Sequence, residues 1–582
     1  MYYIAMRDDY KIKFFIYFVD DKISFVKYFI LSFIVGILGL FGVALTYPFI
    51  NNILSQEKIN LASLALGGII IAAFLIKNVF MIFYNALQAD FTKTCEANIN
   101  KKFSKFFIFG DYNSISQITF AKKTQIIGFL VPNTINNYLI RVLNLNVNIF
   151  IFVLIIGFLL VKFFIATCIT LLCSLALLFG LTYYFKQKAS KIAKDITLAN
   201  EKMNQALNES MLNTKNIKIL DGEEFFYKKV ANSIDNYKKH AQDLLFYNSI
   251  PPYVTEPFII IILLILLSII SIQNLTSSTH LVASYAVIIS AIFRLAPIIS
   301  RIQVNLTGVT TSLPQVKELV EYYEEFNLNE FEIKQEEFYN LKESIELKNI
   351  DFEYNNQAVL RNVNIKINKG EFIGLAGASG SGKTTLIDII AGLLKIKKGS
   401  INIDGKNVDS MPKLKIGYIP QEYNTISASI RENIAFGSSN INDNKVIDVL
   451  KKARLYDFIT DSFKEGIYAE PFTDSTGFSQ GQKQRLAIAR ALYLDPDIII
   501  LDEATSSLDL KTEEEICEVL NSLKGEKTII AVAHRLSTIK SADRIFFMTD
   551  STISDFGTFN ELYCKNSTFK LLVDLNKTDF IH

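Results

Sequence analysis

Two hydrophobic rhythms divide this chain of 582 residues. Before about residue 320, apolar positions continue in long runs with hardly a charge; Phe258 to Ile272 has none. Such a run is too long for a globular core and is near the roughly 20 residues a helix needs to cross a bilayer. The pattern predicts six spanning helices, at 24–50, 61–88, 135–161, 164–186, 250–274 and 279–301. After residue 344 the rhythm changes to short β-branched runs, Gly-rich turns and amphipathic stretches, which predict strands alternating with helices. The expected division is an amphipathic lead-in (1–23), an α-helical six-span membrane domain (24–326), a solvated acidic linker (327–343) and an α/β domain (344–582).

Charge orients the spans. The segment between spans 2 and 3 holds Lys93, Lys101, Lys102, Lys105, Lys122 and Lys123, and the one between spans 4 and 5 holds eleven lysines from Lys186 to Lys239. The opposite loops hold only Lys58 and Lys162. Lysine-rich loops stay in the cytoplasm, so both termini and the α/β domain are expected there. The two basic segments are helix-forming and must turn, at Gly110–Asn113 and at Asp221–Glu223. Pro48, Pro251, Pro252, Pro257 and Pro297 mark expected kinks. The lead-in lacks a short apolar core followed by a small-residue cleavage site, so a cytoplasmic surface helix is expected there rather than a signal peptide. The net charge of +2 argues against a polyanion partner, nucleic acid included. The five cysteines form no metal-like cluster, and Trp is absent.

Charges inside the spans are costly and need a reason. Lys77 lies about 24 Å and Arg294 about 22 Å from the outer face at helical rise, and Glu256 lies near the inner end of span 5. Two readings stay open. The three line a polar cavity that receives an anionic group, or the two cations snorkel to the inner headgroups or pair with Glu256. Arg141 and Arg301 are expected to anchor the inner interface.

The second half carries phosphate chemistry. Gly377, Ala378, Ser379, Gly380, Ser381, Gly382, Lys383 and Thr384 fit G-x-x-x-x-G-K-[ST], and Thr385 follows. Backbone N–H groups of such a loop cradle phosphates at a helix N-terminus. Lys383 would reach the β and γ phosphates of ATP, and Thr384 would hold Mg²⁺. Tyr354 precedes the loop and could stack on adenine. Gln421 follows a strand, with an amide able to touch Mg²⁺ or the attacking water. The buried run 498–501 ends in Asp502, expected to hold Mg²⁺, and Glu503, expected to act as general base. His534 closes a further strand and is placed to contact the γ-phosphate. Cradle, metal ligand, positioned water and charge neutralisation are the parts phosphoryl transfer needs. Ser479, Gln480, Gly481 and Gln482 open another helix and form a second anion site. One chain needs one cradle, so this second site makes sense if it closes on nucleotide held by another chain.

The motifs GASGSGKT, PQ, FSQGQ, ILDEATSSLD and AHRLST, behind six spans, resemble the ATP-binding cassette (ABC) family, specifically exporter-type half-transporters. The resemblance implies the type I exporter fold, an ATP hydrolase coupled to transport, and a dimer with two ATPs sandwiched head to tail. It places Ser479–Gln482 against the partner's phosphate loop and Asp509 at the dimer seam. The turns near Asp111 and Asp221 look like the family's coupling helices. The family signature is usually Leu-Ser-Gly-Gly-Gln; here Phe478 replaces Leu and Gln480 replaces the first Gly. A positive φ at Gln480 would carry strain that Gly avoids. Glu503 and His534 match, which favours a homodimer with two active sites. In the membrane half, Tyr47–Ile50, Lys77, Pro251 with Glu256, and Phe293–Pro297 with Arg301 are similar to bacterial lipid-linked oligosaccharide flippases. That resemblance implies a polyprenyl diphosphate glycan as substrate and the inner membrane as location; the alternative is an exporter of a peptide or hydrophobic small molecule.

Overall fold

A computed structural model describes the chain apart from residues 1–8, 55–60, 163–167, 169–171, 173–175, 177–179, 181–190, 193–194, 274–277, 329–336, 355–356, 422, 472–477, 504–509, 533–534 and 579–582. The chain divides into two compact units. The first comprises Met1–Gly110 and Ser114–Glu332, the second Ile333–His582 together with Asp111–Asn113.

The first unit is helical. The Lys22–Ala44 helix is started by Asp21, whose Oδ1 accepts from the N–H of Ile23 (3.1 Å) and Ser24 (3.0 Å), satisfying donors a helix start leaves open. The run expected at 24–50 breaks at Leu45 and resumes as Thr46–Leu54, with Pro48 in the new first turn, where its missing N–H does no harm. Leu61–Phe109 is one helix of 49 residues, about 74 Å long and more than twice a bilayer core. Its most apolar window is wholly unburied inside the protein, as a lipid-facing helix requires. A continuous helical stretch follows over 120–162, widened at Ile126–Leu130 and Ile135–Leu139 into turns with one extra residue. Pro132 lies between the two widened turns and lacks the N–H a regular turn would use. Glu223–Gln273 (51 residues) and Ser278–Glu325 (48 residues) are the other long helices, the second continuing through Pro297 and Pro314.

Among the described residues, three helices are long and apolar enough to cross a membrane: Lys22–Phe41, Leu64–Phe109 and Phe120–Val161. The expected fourth span lies almost wholly outside the described residues, and Glu256 sits on the Glu223–Gln273 helix with its side chain outside them. The two predicted turns fall where helices break, between Phe109 and Tyr112 and at Asp221, whose φ of 48° is left-handed. The lead-in helix Asp9–Phe18 wedges Phe14 and Phe18 into this unit's core. There Phe14 meets Tyr138 edge-on (5.2 Å) and Phe18 meets Tyr323 (4.8 Å). Lys13 ties it down through Glu324 (2.9 Å).

The second unit has two sheets. Strands β1 (Ser344–Tyr354), β2 (Gln357–Asn368), β4 (Lys398–Ile403) and β5 (Lys406–Val408) form an antiparallel sheet in the order β2-β1-β4-β5. Strands β3 (Phe372–Gly377), β6 (Ile416–Ile419), β7 (Ile498–Asp502), β8 (Thr528–Val532), β9 (Arg544–Thr549) and β10 (Thr552–Gly557) form a second sheet, ordered β10-β9-β3-β8-β7-β6. All its pairs are parallel except β9 with β10. Burial on both faces explains the uninterrupted apolar runs of β3, β7 and β8. The C-terminal ends of β3 and β7 therefore open on the same edge, where ligands bind in sheets of this kind.

Candidate functional site

The phosphate loop leaves β3 at Gly377 and enters the Lys383–Ile390 helix through Gly382. Both glycines are required. At Gly377 (φ 151°) a Cβ would fall 2.3 Å from the Met548 carbonyl oxygen, and at Gly382 (φ 97°) it would meet Leu360 at 2.6 Å. Lys383 Nζ folds back onto the loop and donates to the carbonyls of Gly377 (3.0 Å) and Ala378 (2.8 Å). Burial pulls its pKa down, while the charges of Glu503 and Asp502 push it back up, so the loop and the two carboxylates face one another. Ser381 is buried, and among the described residues its Oγ has no hydrogen-bond partner. Thr384 is exposed and Thr385 buried, the latter bonded to the Tyr354 hydroxyl at the end of β1. Tyr354 is half-buried and meets the Phe352 ring edge-on at 5.0 Å.

Parallel pairing sets the carboxylates. Asp502 lies beside Val532 in the β7–β8 register. The N–H of Glu503 donates to the Val532 carbonyl (3.2 Å) in a left-handed backbone of φ 50°, which a side-chain-bearing residue seldom adopts. Asp502 Oδ2 accepts from the Tyr418 hydroxyl at 2.9 Å, and burial followed by the Asp502 charge pushes that phenol's pKa up. His534 lies outside the described residues, two positions past Val532. The stretch after it is held by buried Glu513, which takes Arg535 (2.6 Å) and the Ser537 hydroxyl.

Gln421 is exposed, and its carbonyl accepts from Gln484 Nε2 at 3.2 Å. Gln484 lies on the Gln480–Tyr493 helix, so the glutamine after β6 and the signature helix are linked. Ser479 caps that helix reciprocally: its Oγ accepts from the Gln482 N–H (3.3 Å), and Gln482 Oε1 accepts from the Ser479 N–H (2.8 Å). Gln480 is the first helical residue and has no positive φ, so the strain expected of a non-glycine there does not arise. Phe478 stacks on Phe463 (5.7 Å) and meets Phe458 (5.7 Å). Asp509 lies outside the described residues. Tyr418, Gln484 and Glu513 were absent from the sequence expectations, since lone tyrosines, glutamines and glutamates carry no motif.

In the first unit, Arg294 donates to the Gly39 carbonyl and lies over the Phe74 ring at 4.4 Å. Lys77 is close enough to Arg294 and Arg301 to be repelled by both. Arg141, expected as an interfacial anchor, donates to the Val304 carbonyl (3.4 Å) and lies over Gly308, where a Cβ would fall 2.0 Å from its Cδ.

A Gly-rich loop, two strand-end carboxylates and a reciprocally capped helix start at Ser479 define the α/β unit as a phosphate-loop nucleotide-binding cassette. Residues 360–506 match the ABC transporter family, and residues 131–303 match the ABC transporter transmembrane region. The chain belongs to the ABC transporters and has the type I exporter fold. It superposes on the structure of a bacterial Atm1-family ABC exporter with ATP bound, with a TM-score of 0.81. That match has 18% identity and covers 95% of this chain and 99% of the other, a likeness of fold alone. Among curated relatives, the ATP-dependent lipid A-core flippase of Syntrophus aciditrophicus is 37% identical over 239 residues, 40% of each chain. The sophorolipid transporter of Starmerella bombicola is 38% identical over 40% of this chain and 19% of its own. A Bacillus subtilis protein named as a candidate multidrug export ATP-binding/permease protein is 37% identical over 40% of this chain and 41% of its own. The chain thus spans well under half the length of the relatives it matches.

Proposed function

We propose that two copies of this chain form an ATP-driven translocase of the bacterial inner membrane, whose cargo is an anionic lipid-linked glycan of the polyprenyl diphosphate class. The observation that carries the cargo is the placement of Lys77, Arg294 and Arg301 on two helices of the first unit, with Lys77 in electrostatic reach of both arginines. Three cations gathered on apolar helices are unfavourable alone and suit a diphosphate head. Two of the relatives are named for lipid substrates, lipid A-core and sophorolipid, which favours a lipid cargo.

In the cassette, the loop from Gly377 to Thr385 would bind ATP phosphates and Tyr354 the adenine. Lys383 would exchange the Gly377 and Ala378 carbonyls for the β and γ phosphates. The Thr384 hydroxyl, the Asp502 carboxylate and the Gln421 carboxamide oxygen are the hard donors Mg²⁺ takes, and the ion would neutralise phosphate charge. Glu503, fixed by its strained backbone, would draw the proton from water, and His534 would steady the γ-phosphate. Ser479–Gln482 would close on the partner's nucleotide, with Asp509 at the seam. ATP hydrolysis by the purified full chain in nanodiscs tests this reading. We expect stimulation by a polyprenyl diphosphate glycan; stimulation by hydrophobic drugs or peptides alone would promote the second reading, an exporter of small molecules, which the multidrug name of one relative favours.

A further inference from the structure

A pocket of about 500 Å³ opens within the first unit, between the helices Leu61–Phe109, Ile140–Lys162 and Ser278–Glu325. Its volume is within the roughly 300–1,000 Å³ usual for small-molecule sites. Its polar lining is Tyr84, Asn85, Asn144, Asn148, Ser300, Arg301 and Asn305, and among the described residues it contains no carboxylate.

The lining is pre-oriented rather than a gap between helices. Tyr84 is 1% exposed and closes one wall, its ring 4.7 Å from that of Tyr28. Asn144 Oδ1 accepts from Gln88 (3.1 Å), and Asn148, 8% exposed, donates to the Asn144 carbonyl (2.7 Å). Fixing Oδ1 on Gln88 leaves the Asn144 amide N–H₂ as the group to offer.

The donor set selects the guest. Carboxamides both donate and accept, as sugar hydroxyl and acetamido groups do. A bare anion site would carry more cations, and a site for cationic drugs would carry a carboxylate. The one guanidinium, Arg301, adds a single anionic contact. Lys77 and Arg294 lie about two helical turns before Asn85 and Arg301 on helices that run the same way on the charge-derived topology. One helix pair thus carries Lys77 and Arg294 at one level and Asn85 with Arg301 at the next. We infer that this pocket holds the first sugar of an anionic glycolipid head, its phosphate facing Arg301; the inference rests on the translocase reading and specifies its substrate.

The chain has no Trp, so Met81→Trp at the pocket wall gives a single fluorescent reporter. The full chain in nanodiscs is titrated with a polyprenyl diphosphate bearing one N-acetylhexosamine, with the same lipid lacking sugar, and with free N-acetylhexosamine 1-phosphate. We expect the glycosylated lipid to bind about tenfold tighter than either, the order of one or two well-formed hydrogen bonds. Asn305→Leu or, as a more exposed second site, Asn85→Leu should remove that preference and leave binding of the bare lipid unchanged. Equal binding of both lipids, indifference to both substitutions, or a silent reporter would overturn the inference. Equally tight binding of the free sugar phosphate would overturn its lipid-linked source. Sugar preference without ATP-driven translocation strikes the translocase reading alone, and translocation without sugar preference strikes the pocket alone.

Discussion

Glu503 occupies a backbone conformation few glutamates tolerate, φ 50°, with its N–H bonded to the Val532 carbonyl. Such strain persists where the surroundings fix it and a function uses it. Glu503→Gln should keep ATP binding and slow hydrolysis by roughly 10²–10⁴-fold; near-normal turnover would remove the general-base role. Asp388, one turn into the helix after the loop, has its pKa raised from the ordinary 3.8 to about 6 by burial and then by the Asp502 charge. An acid with a higher pKa folded than unfolded favours the folded state below pH 4, and that contribution is lost as pH rises through 6. Asp388→Asn should therefore flatten the stability profile between pH 4 and 6 and stabilise the chain at pH 7. Parallel unfolding curves of the two proteins across that range would contradict it. Residue types in fixed motifs, Gly377 to Thr384 or Asp502–Glu503, could be read from the chain. The Tyr418–Asp502 bond could not, because it depends on β6 lying beside β7.

At the scale of elements, the Gln480–Tyr493 helix is the instructive case. Its start departs from the family pattern, yet Ser479 and Gln482 cap it reciprocally and Gln480 is helical. Glutamine is a better helix former than glycine, so Gln480→Gly should cost up to about 1 kcal/mol of stability. A gain in stability would show strain that the backbone does not display. Phe478, read in the chain as a departure, is explained by Phe458 and Phe463, aromatic neighbours that only the folded packing brings together. Hydrophobic period separated helices from strands correctly, because lipid-facing helices and doubly buried strands leave different run lengths. It could not give the widened turns around Pro132, which arise from one missing N–H, nor the break at Leu45 inside one apolar run.

At the scale of the molecule, an ATP cassette and a bundle of lipid-length helices share one polypeptide, and the cationic level of the bundle sets the expected cargo. Lys77→Ala with Arg294→Ala should lower lipid-diphosphate-stimulated ATPase at least about tenfold, since each removes a charge-assisted contact. Undiminished stimulation would assign those cations to the helix bundle itself. The most direct measurement uses liposomes containing the full chain, with cassettes outward and a labelled polyprenyl diphosphate glycan in the outer leaflet. The account predicts ATP-dependent loss of label from the outer face, absent with Glu503→Gln; label that stays accessible, while peptide or drug is carried instead, would contradict it.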